Sequence, residues 1–178
     1  TSKITLMKRI SLIGLSTTLL LATLSLGSQA AVPTSLSVPG DARILFVGDI
    51  MMGRQMNQLM AGNFEGPFTH VRDFLQSPDL TVANLEGPLV PAASIPRQVP
   101  GSLNLTGDTR AAASLAKIGF DVLSVANNHA FDAGPAGLKS TIDAVRGAGI
   151  EAIGVDNAGR QDPVVKNVRG IKIAFLAY

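Results

Sequence analysis

Three apolar segments of this chain each lead into a residue that could bind a metal ion or move a proton. These residues are Asp49, Glu86 and His129. Carboxylate oxygens and imidazole nitrogens bind divalent cations, and an imidazole can also donate a proton to a leaving group. Together they indicate a metal-binding cradle. The structural alternatives are a helix cap for Asp49 and a solvated turn position for Glu86.

Carboxamide side chains stand beside these groups. Asn84 precedes Glu86 by two positions, and Asn127 and Asn128 come directly before His129. A buried amide has several hydrogen-bonding groups to satisfy, so two adjacent amides at the end of a buried strand indicate a site. The alternatives are an Asn turn network beside a histidine that merely packs, and an Asn84 that holds its turn.

The apolar segments have the length and β-branched composition of buried parallel strands, and ligands bind beyond the carboxyl ends of such strands. Strands are predicted over residues 43–47, 80–83 and 150–154, over a run of four to five residues from Val122, and over 164–168 and 171–178. The last two are predicted to pair through a two-residue turn at Arg169 and Gly170. Helices are predicted over residues 51–60, 68–75, 109–118 and 137–147. This order predicts an α/β fold, with a mostly parallel sheet and flanking helices. Residues 91–107 are predicted to form a surface loop beside the site.

Composition excludes several classes of protein. The chain has 178 residues, of which 46% are hydrophobic and 16% charged, as in a globular domain. Three of the 15 basic residues and none of the 13 acidic ones lie in residues 1–30, so the remainder has 12 basic and 13 acidic residues and a net charge of −1. This near-neutral charge lacks the excess of basic residues that is typical of nucleic-acid-binding proteins. The absence of cysteine excludes disulfides, thiolate metal sites and a cysteine nucleophile.

The amino-terminal residues have the pattern of an export signal. Lys8 and Arg9 precede an apolar stretch over residues 10–26, and small residues before Ala31 would suit cleavage after Ala30. We therefore predict a signal peptide at 1–30, a linker at 31–42 and an exported domain at 43–178, in the periplasm, outside the cell or in the envelope. An uncleaved membrane anchor is the alternative. The strand pattern continues to Tyr178, which indicates a domain truncated at its carboxyl end.

Three motifs carry a family resemblance. Residues 46–53 (FVGDIMMG), 84–88 (NLEGP) and 119–129 (GFDVLSVANNH) resemble the bacterial poly-γ-glutamate capsule-biosynthesis (CapA-like) proteins. That family is similar to the calcineurin-like metallophosphoesterases. Residues 171–178 (IKIAFLAY) also resemble a strand of the family's domain. The resemblance covers residues 43–178 and implies a metallophosphoesterase-like fold.

The resemblance also implies roles for the site residues. Asp49, Glu86 and Asn128 would be metal ligands and His129 the catalytic acid, while Asn84 and Asn127 would contact substrate. The metals would be divalent ions such as Mn, Zn or Fe. A two-metal centre needs more ligands than these residues supply. Either the remaining ligands lie beyond Tyr178, or the site is mononuclear or degenerate.

The resemblance implies a metal-dependent hydrolase of phosphoesters in capsule or polyglutamate biosynthesis. Its partners would be an anionic polymer or phosphoester substrate and other envelope proteins of capsule synthesis, with no nucleic acid. Two alternatives remain open: a non-catalytic envelope accessory for polymer synthesis or export, and an amide hydrolase acting on polyglutamate.

Overall fold

A parallel β-sheet forms the centre of the domain. The computed structural model describes residues 41–97, 99, 101–154 and 163–178. The predicted signal peptide and nearly all of the predicted linker lie outside these residues. The strands are β1 Ile44–Met51, β2 Leu80–Glu86, β3 Leu89–Val90, β4 Gly107–Asp108, β5 Val122–Ser124, β6 Glu151–Ile153, β7 Val164–Val168 and β8 Ile171–Phe175. The central sheet has the order β1-β2-β5-β6 with every pair parallel, which confirms the predicted fold class.

Four α-helices accompany the strands within the described residues. They are α1 Arg54–Met60, α2 Arg72–Leu75, α3 Arg110–Ile118 and α4 Gly134–Gly147, with 3-10 turns at Gly66–Phe68 and Ala92–Ser94. No helix in the described part of the chain has the length and apolar character needed to cross a membrane.

The two faces of the sheet are covered by different elements. The four central strands lie side by side in the same order as they occur along the chain. Right-handed crossovers between such strands place the connecting helices on one face of the sheet. Leu115 of α3 and Ile142 of α4 are fully buried there, in one core cluster with Leu85. On the opposite face, Val82 belongs to a smaller cluster with Phe175 of β8. Successive side chains of a strand point to opposite faces, so β2 serves both cores.

The antiparallel pair β7 and β8 covers the second face. Val168 pairs with Ile171, and the turn between them consists of Arg169 and Gly170, as predicted. Both turn residues have positive φ, 52° and 87°, which matches the two-residue turn that follows the twist of a hairpin.

The structure corrects three predicted boundaries. The predicted helix 51–60 starts only at Arg54, because β1 continues to Met51, which pairs with Glu86. The first strand, predicted to end at residue 47, continues through Gly48, which lies inside a register shift of β1. The predicted helix 68–75 is reduced to the one-turn helix α2, and Phe68 instead ends a 3-10 turn, where its ring packs edge-on against Phe120, 5.8 Å away. Packing with distant residues overrides local helix propensity here.

Candidate functional site

Two carboxylates and one amide meet where β1 lies beside β2. The strand register places Asp49 opposite Asn84, and Glu86 lies two residues further along β2 on the same face. The Asn84 amide nitrogen donates to Asp49 Oδ1 at 2.8 Å and to Glu86 Oε2 at 2.6 Å. One amide group therefore joins the two acids, which we call the carboxylate pair.

A second amide fixes the orientation of the first. Asn127 Oδ1 accepts the backbone N–H of His129 at 3.0 Å, and Asn127 Nδ2 donates to the Leu85 carbonyl at 2.9 Å. These backbone partners define which end of the Asn127 amide is oxygen. The same Nδ2 donates to Asn84 Oδ1 at 3.0 Å. Because the Asn84 oxygen must face Asn127, its NH₂ group must face the carboxylate pair.

His129 lies between two acids. Its Nδ1 is 2.9 Å from Asp132 Oδ2, and its Nε2 is 3.9 Å from Glu86 Oε1. The side chains of His129 and Glu86 are largely buried, with 18% and 16% of their surface exposed. A proton on Nδ1 is held by Asp132, so Nε2 is the ring atom that faces the carboxylate pair.

Asn128 stands apart from this network. Asp49, Glu86 and His129 are brought together, as are the two predicted substrate-binding residues, Asn84 and Asn127. The Asn128 residue is exposed, and no hydrogen bond joins its side chain to another described residue. Its role as a ligand stays a prediction.

Sequence reasoning missed the partners that hold His129. Asp132 lies in the turn after the site, and the carboxylate that contacts His129 also accepts the Leu105 N–H at 2.7 Å. Asn104 Nδ2 donates to the Asp132 carbonyl at 2.8 Å. Both contacting residues lie in the irregular segment 91–107. The spacing of Asp132 three positions after His129 was the available signal.

A cavity of about 240 Å³ opens beside Asp49. Its lining is mostly apolar and includes Met51, Met52, Met56 and Met60. Methionine side chains adapt to ligands of irregular shape. Asp49 therefore borders a space that could take an apolar part of a substrate.

The sequence model of the family described as "Bacterial capsule synthesis protein PGA_cap" matches residues 43–178. This match covers more than half of the chain and all of its described strands. The chain belongs to the PGA_cap family. Capsule biosynthesis protein CapA of Bacillus anthracis is 29% identical over 157 residues, which cover 85% of this chain and 38% of that protein. PGA biosynthesis protein CapA of Bacillus subtilis (strain 168) is 27% identical over 137 residues, or 75% and 36%. This chain thus spans less than two fifths of either relative.

The PGA_cap domain has donors that suit one divalent cation. Asp49 and Glu86 provide two carboxylates, which are ligands that hard and borderline cations take. Neither acid forms an ion pair with a lysine or arginine among the described residues, and only the neutral Asn84 amide joins them. The described residues contain no group of three or more His, Asp or Glu side chains placed to hold a metal ion. The described part of the PGA_cap domain does not supply a two-metal donor set, and the role of Asp49 and Glu86 as metal ligands stays a prediction.

Proposed function

We propose that this PGA_cap domain is an exported, metal-dependent hydrolase of phosphoesters that acts in capsule or poly-γ-glutamate biosynthesis. The names of the two Bacillus relatives support the biological process. One observation carries the chemistry: a carboxylate pair without a cationic partner faces a histidine whose other nitrogen is held by an acid.

Asp49 and Glu86 would hold the cation in this proposal. A divalent cation bound there would stabilise the negative charge that develops on a phosphoryl group and would favour ionisation of water. Asn84 would keep the two acids at a fixed separation, since both accept from its amide. Asn128, which is exposed at the end of the same edge, would complete the ligands from the solvent side.

His129 would give a proton to the leaving group from Nε2. Asp132 holds Nδ1 and so fixes the plane of the ring. A protonated Nε2 beside Glu86 would have that acid as a partner until the substrate arrives. Asn127 fixes the backbone of His129 by accepting its N–H, and it is joined to the carboxylate pair through Asn84. The amide hydrogens of Asn84 and Asn127 are donated within this network, so direct contact of the two amides with substrate stays a prediction.

Export is the second part of the proposal. It rests on the basic residues Lys8 and Arg9, the apolar stretch after them and the small residues that end at Ala30. Amino-terminal sequencing of the protein recovered from outside the cytoplasm should give Ala31 or a close neighbour. A chain that starts at Met7 and stays in the cytoplasmic fraction would contradict export.

Calorimetric titration with Mn²⁺ or Zn²⁺ tests the proposed metal site directly. The chain should bind one ion per molecule, and Asp49→Asn or Glu86→Gln should abolish binding. Asp73→Asn is the matched control, because Asp73 is an exposed acid on α2, away from the sheet edge. Equal binding by all variants would overturn the metal assignment.

A second candidate function is a non-catalytic accessory for polymer synthesis or export. It is favoured by one observation: Asn84 already satisfies both carboxylates, so the acids can be structural. Hydrolysis assays with a generic phosphodiester and with poly-γ-glutamate separate the candidates. Phosphodiester cleavage that requires both metal and His129 supports the proposal. Polymer binding without cleavage supports the accessory role, and cleavage of the polyglutamate amide alone supports an amide hydrolase.

A further inference from the structure

A single loop residue touches each segment that carries part of the site. Leu105 is buried, with 6% of its surface exposed, although it lies in an irregular stretch of chain. Its main chain packs against Gly53, which follows β1. A Cβ placed on Gly53 would be 2.0 Å from the Leu105 carbonyl oxygen, far inside contact distance. The glycine is therefore required for the close approach of Leu105, because its own φ of −96° would suit any residue.

The second contact is with Gly87, the residue directly after Glu86. A Cβ there would be 2.7 Å from both the Cβ and the carbonyl oxygen of Leu105. Gly87 also has a φ of +98°, which favours glycine independently. Gly53 and Gly87 thus form the two walls of a slot that holds the Leu105 main chain.

The third contact reaches His129 through Asp132. The same Asp132 oxygen accepts from the Leu105 N–H at 2.7 Å and lies 2.9 Å from His129 Nδ1. Asn104 adds two further ties, since its Nδ2 donates to the Asp132 carbonyl and its Oδ1 accepts the Thr106 N–H at 3.0 Å. A shift of Leu105 would therefore displace the Asp132 carboxylate oxygen that also contacts His129 Nδ1.

We propose that residues 104–106 form a positioning loop that sets the orientation of His129 relative to the carboxylate pair. The loop acts through Asp132 and through the two glycine walls, and none of its residues needs to touch the substrate. This inference rests on the proposed function only where it concerns turnover. The effect on the His129 ring can be measured without any catalysis.

Nitrogen NMR of the histidine rings tests the positioning loop. The chain has two histidines, and His70 is exposed, so it serves as an internal reference. At pH of about 8, where an ordinary histidine is neutral, a bond to Asp132 favours the tautomer with its proton on Nδ1. Asn104→Ala and Gly53→Ala should shift the His129 ring signals towards the other tautomer and leave those of His70 unchanged.

Gly48→Ala is the matched control. Gly48 lies in the same sequence motif as Gly53, but a Cβ there would have no atom within 4 Å. This substitution should leave both histidines unchanged. If Gly53→Ala does not fold, as judged by circular dichroism, Asn104→Ala decides, because it removes hydrogen bonds without adding atoms.

The outcomes separate the positioning loop from the proposed hydrolase. Changed His129 signals in Asn104→Ala, with a normal control, support the loop even if no substrate is cleaved. Where the chain is active, the same variant should lose about 10–100-fold in kcat with little change in KM, as is typical when an outer hydrogen-bond partner of a catalytic group is removed. Unchanged His129 signals in the folded variants, or an equal change in Gly48→Ala, would overturn the loop assignment.

Discussion

The two ends of the central sheet hold acids of similar burial with different partners. Asp79, just before β2, has 18% of its side chain exposed, and Glu86 at the other end of β2 has 16%. Asp79 accepts the Arg43 N–H at 2.8 Å and an Arg169 N–H at 2.9 Å. Asp121 of the same end accepts the Thr81 N–H at 2.7 Å. Glu86 has a neutral amide at 2.6 Å and one imidazole nitrogen at 3.9 Å.

The difference separates an acid with a cationic partner, Asp79, from acids that have no lysine or arginine partner among the described residues. At the amino end, the backbone N–H of Arg43 and then the Arg169 guanidinium hold the pKa of Asp79 below its usual range. The ionised form is therefore favoured by folding. At the carboxyl end, no arginine or lysine among the described residues neutralises Asp49 or Glu86. A cation from solution could fill that role, and four substitutions test the contrast.

The largest expected effect is on His129, which would do chemistry only if the carboxyl end is catalytic. His129→Ala should lower turnover by about 10²–10⁴-fold, the usual loss for a general acid, and leave metal affinity largely intact. His70→Ala, at an exposed position, is the matched control. Turnover and metal titration are the measurements. Equal activity in the two variants would remove His129 from the mechanism.

Asp132→Asn should have the next largest effect. The amide can still accept from Leu105, but it no longer has a carboxylate charge to hold the ring, so turnover should fall by about 10–100-fold. Thermal stability should change little. A matched Asp143→Asn change on α4 removes an exposed acid and should leave turnover normal. Loss of activity in both variants would indicate a general effect of charge.

Glu86→Gln and Asp79→Asn compare how much the acids at the two ends of β2 contribute to thermal stability. The glutamine keeps an acceptor for Asn84 and removes an acid without a cationic partner, so Tm should stay constant or rise. The asparagine weakens the tie of β2 to Arg43 and Arg169, so Tm should fall. Thermal unfolding at neutral pH and low salt is the measurement. A larger fall for Glu86→Gln would reverse the roles of the two ends.

The smallest effect is the pH dependence of the Asp79 contribution. Because the folded pKa lies below the unfolded value of about 3.9, the stabilisation is present above that value and is lost as pH falls through the folded pKa. The Tm difference between the parent chain and Asp79→Asn should therefore be constant from neutral pH to about 5 and shrink in stronger acid. A difference that grows on acidification would contradict the assigned partners.

Much of the fold was predictable because local patterns and chain order agree. Short β-branched segments alternating with helices predicted the parallel sheet, and two turn-forming residues predicted the hairpin. The strand ends were less predictable. β2 continues through Asn84 to Glu86, because pairing with β1 satisfies the backbone of these polar residues. Asn84 and Glu86 lie two positions apart on the same face of β2, and a sequence pattern for turns cannot show that pairing.

The sequence by itself determined which residues could do chemistry and which edge of the sheet would carry them. Strand order follows from short crossovers, so Asp49, Glu86 and His129 had to come near one another. Tertiary structure decided the rest. In the turn after β5, Asn127 and not Asn128 enters the network, because its amide lies within hydrogen-bond distance of Asn84 and of the Leu85 carbonyl. It also brought Leu105 to Asp132 across 27 positions. Such contacts depend on how the backbone packs, which residue types alone do not specify.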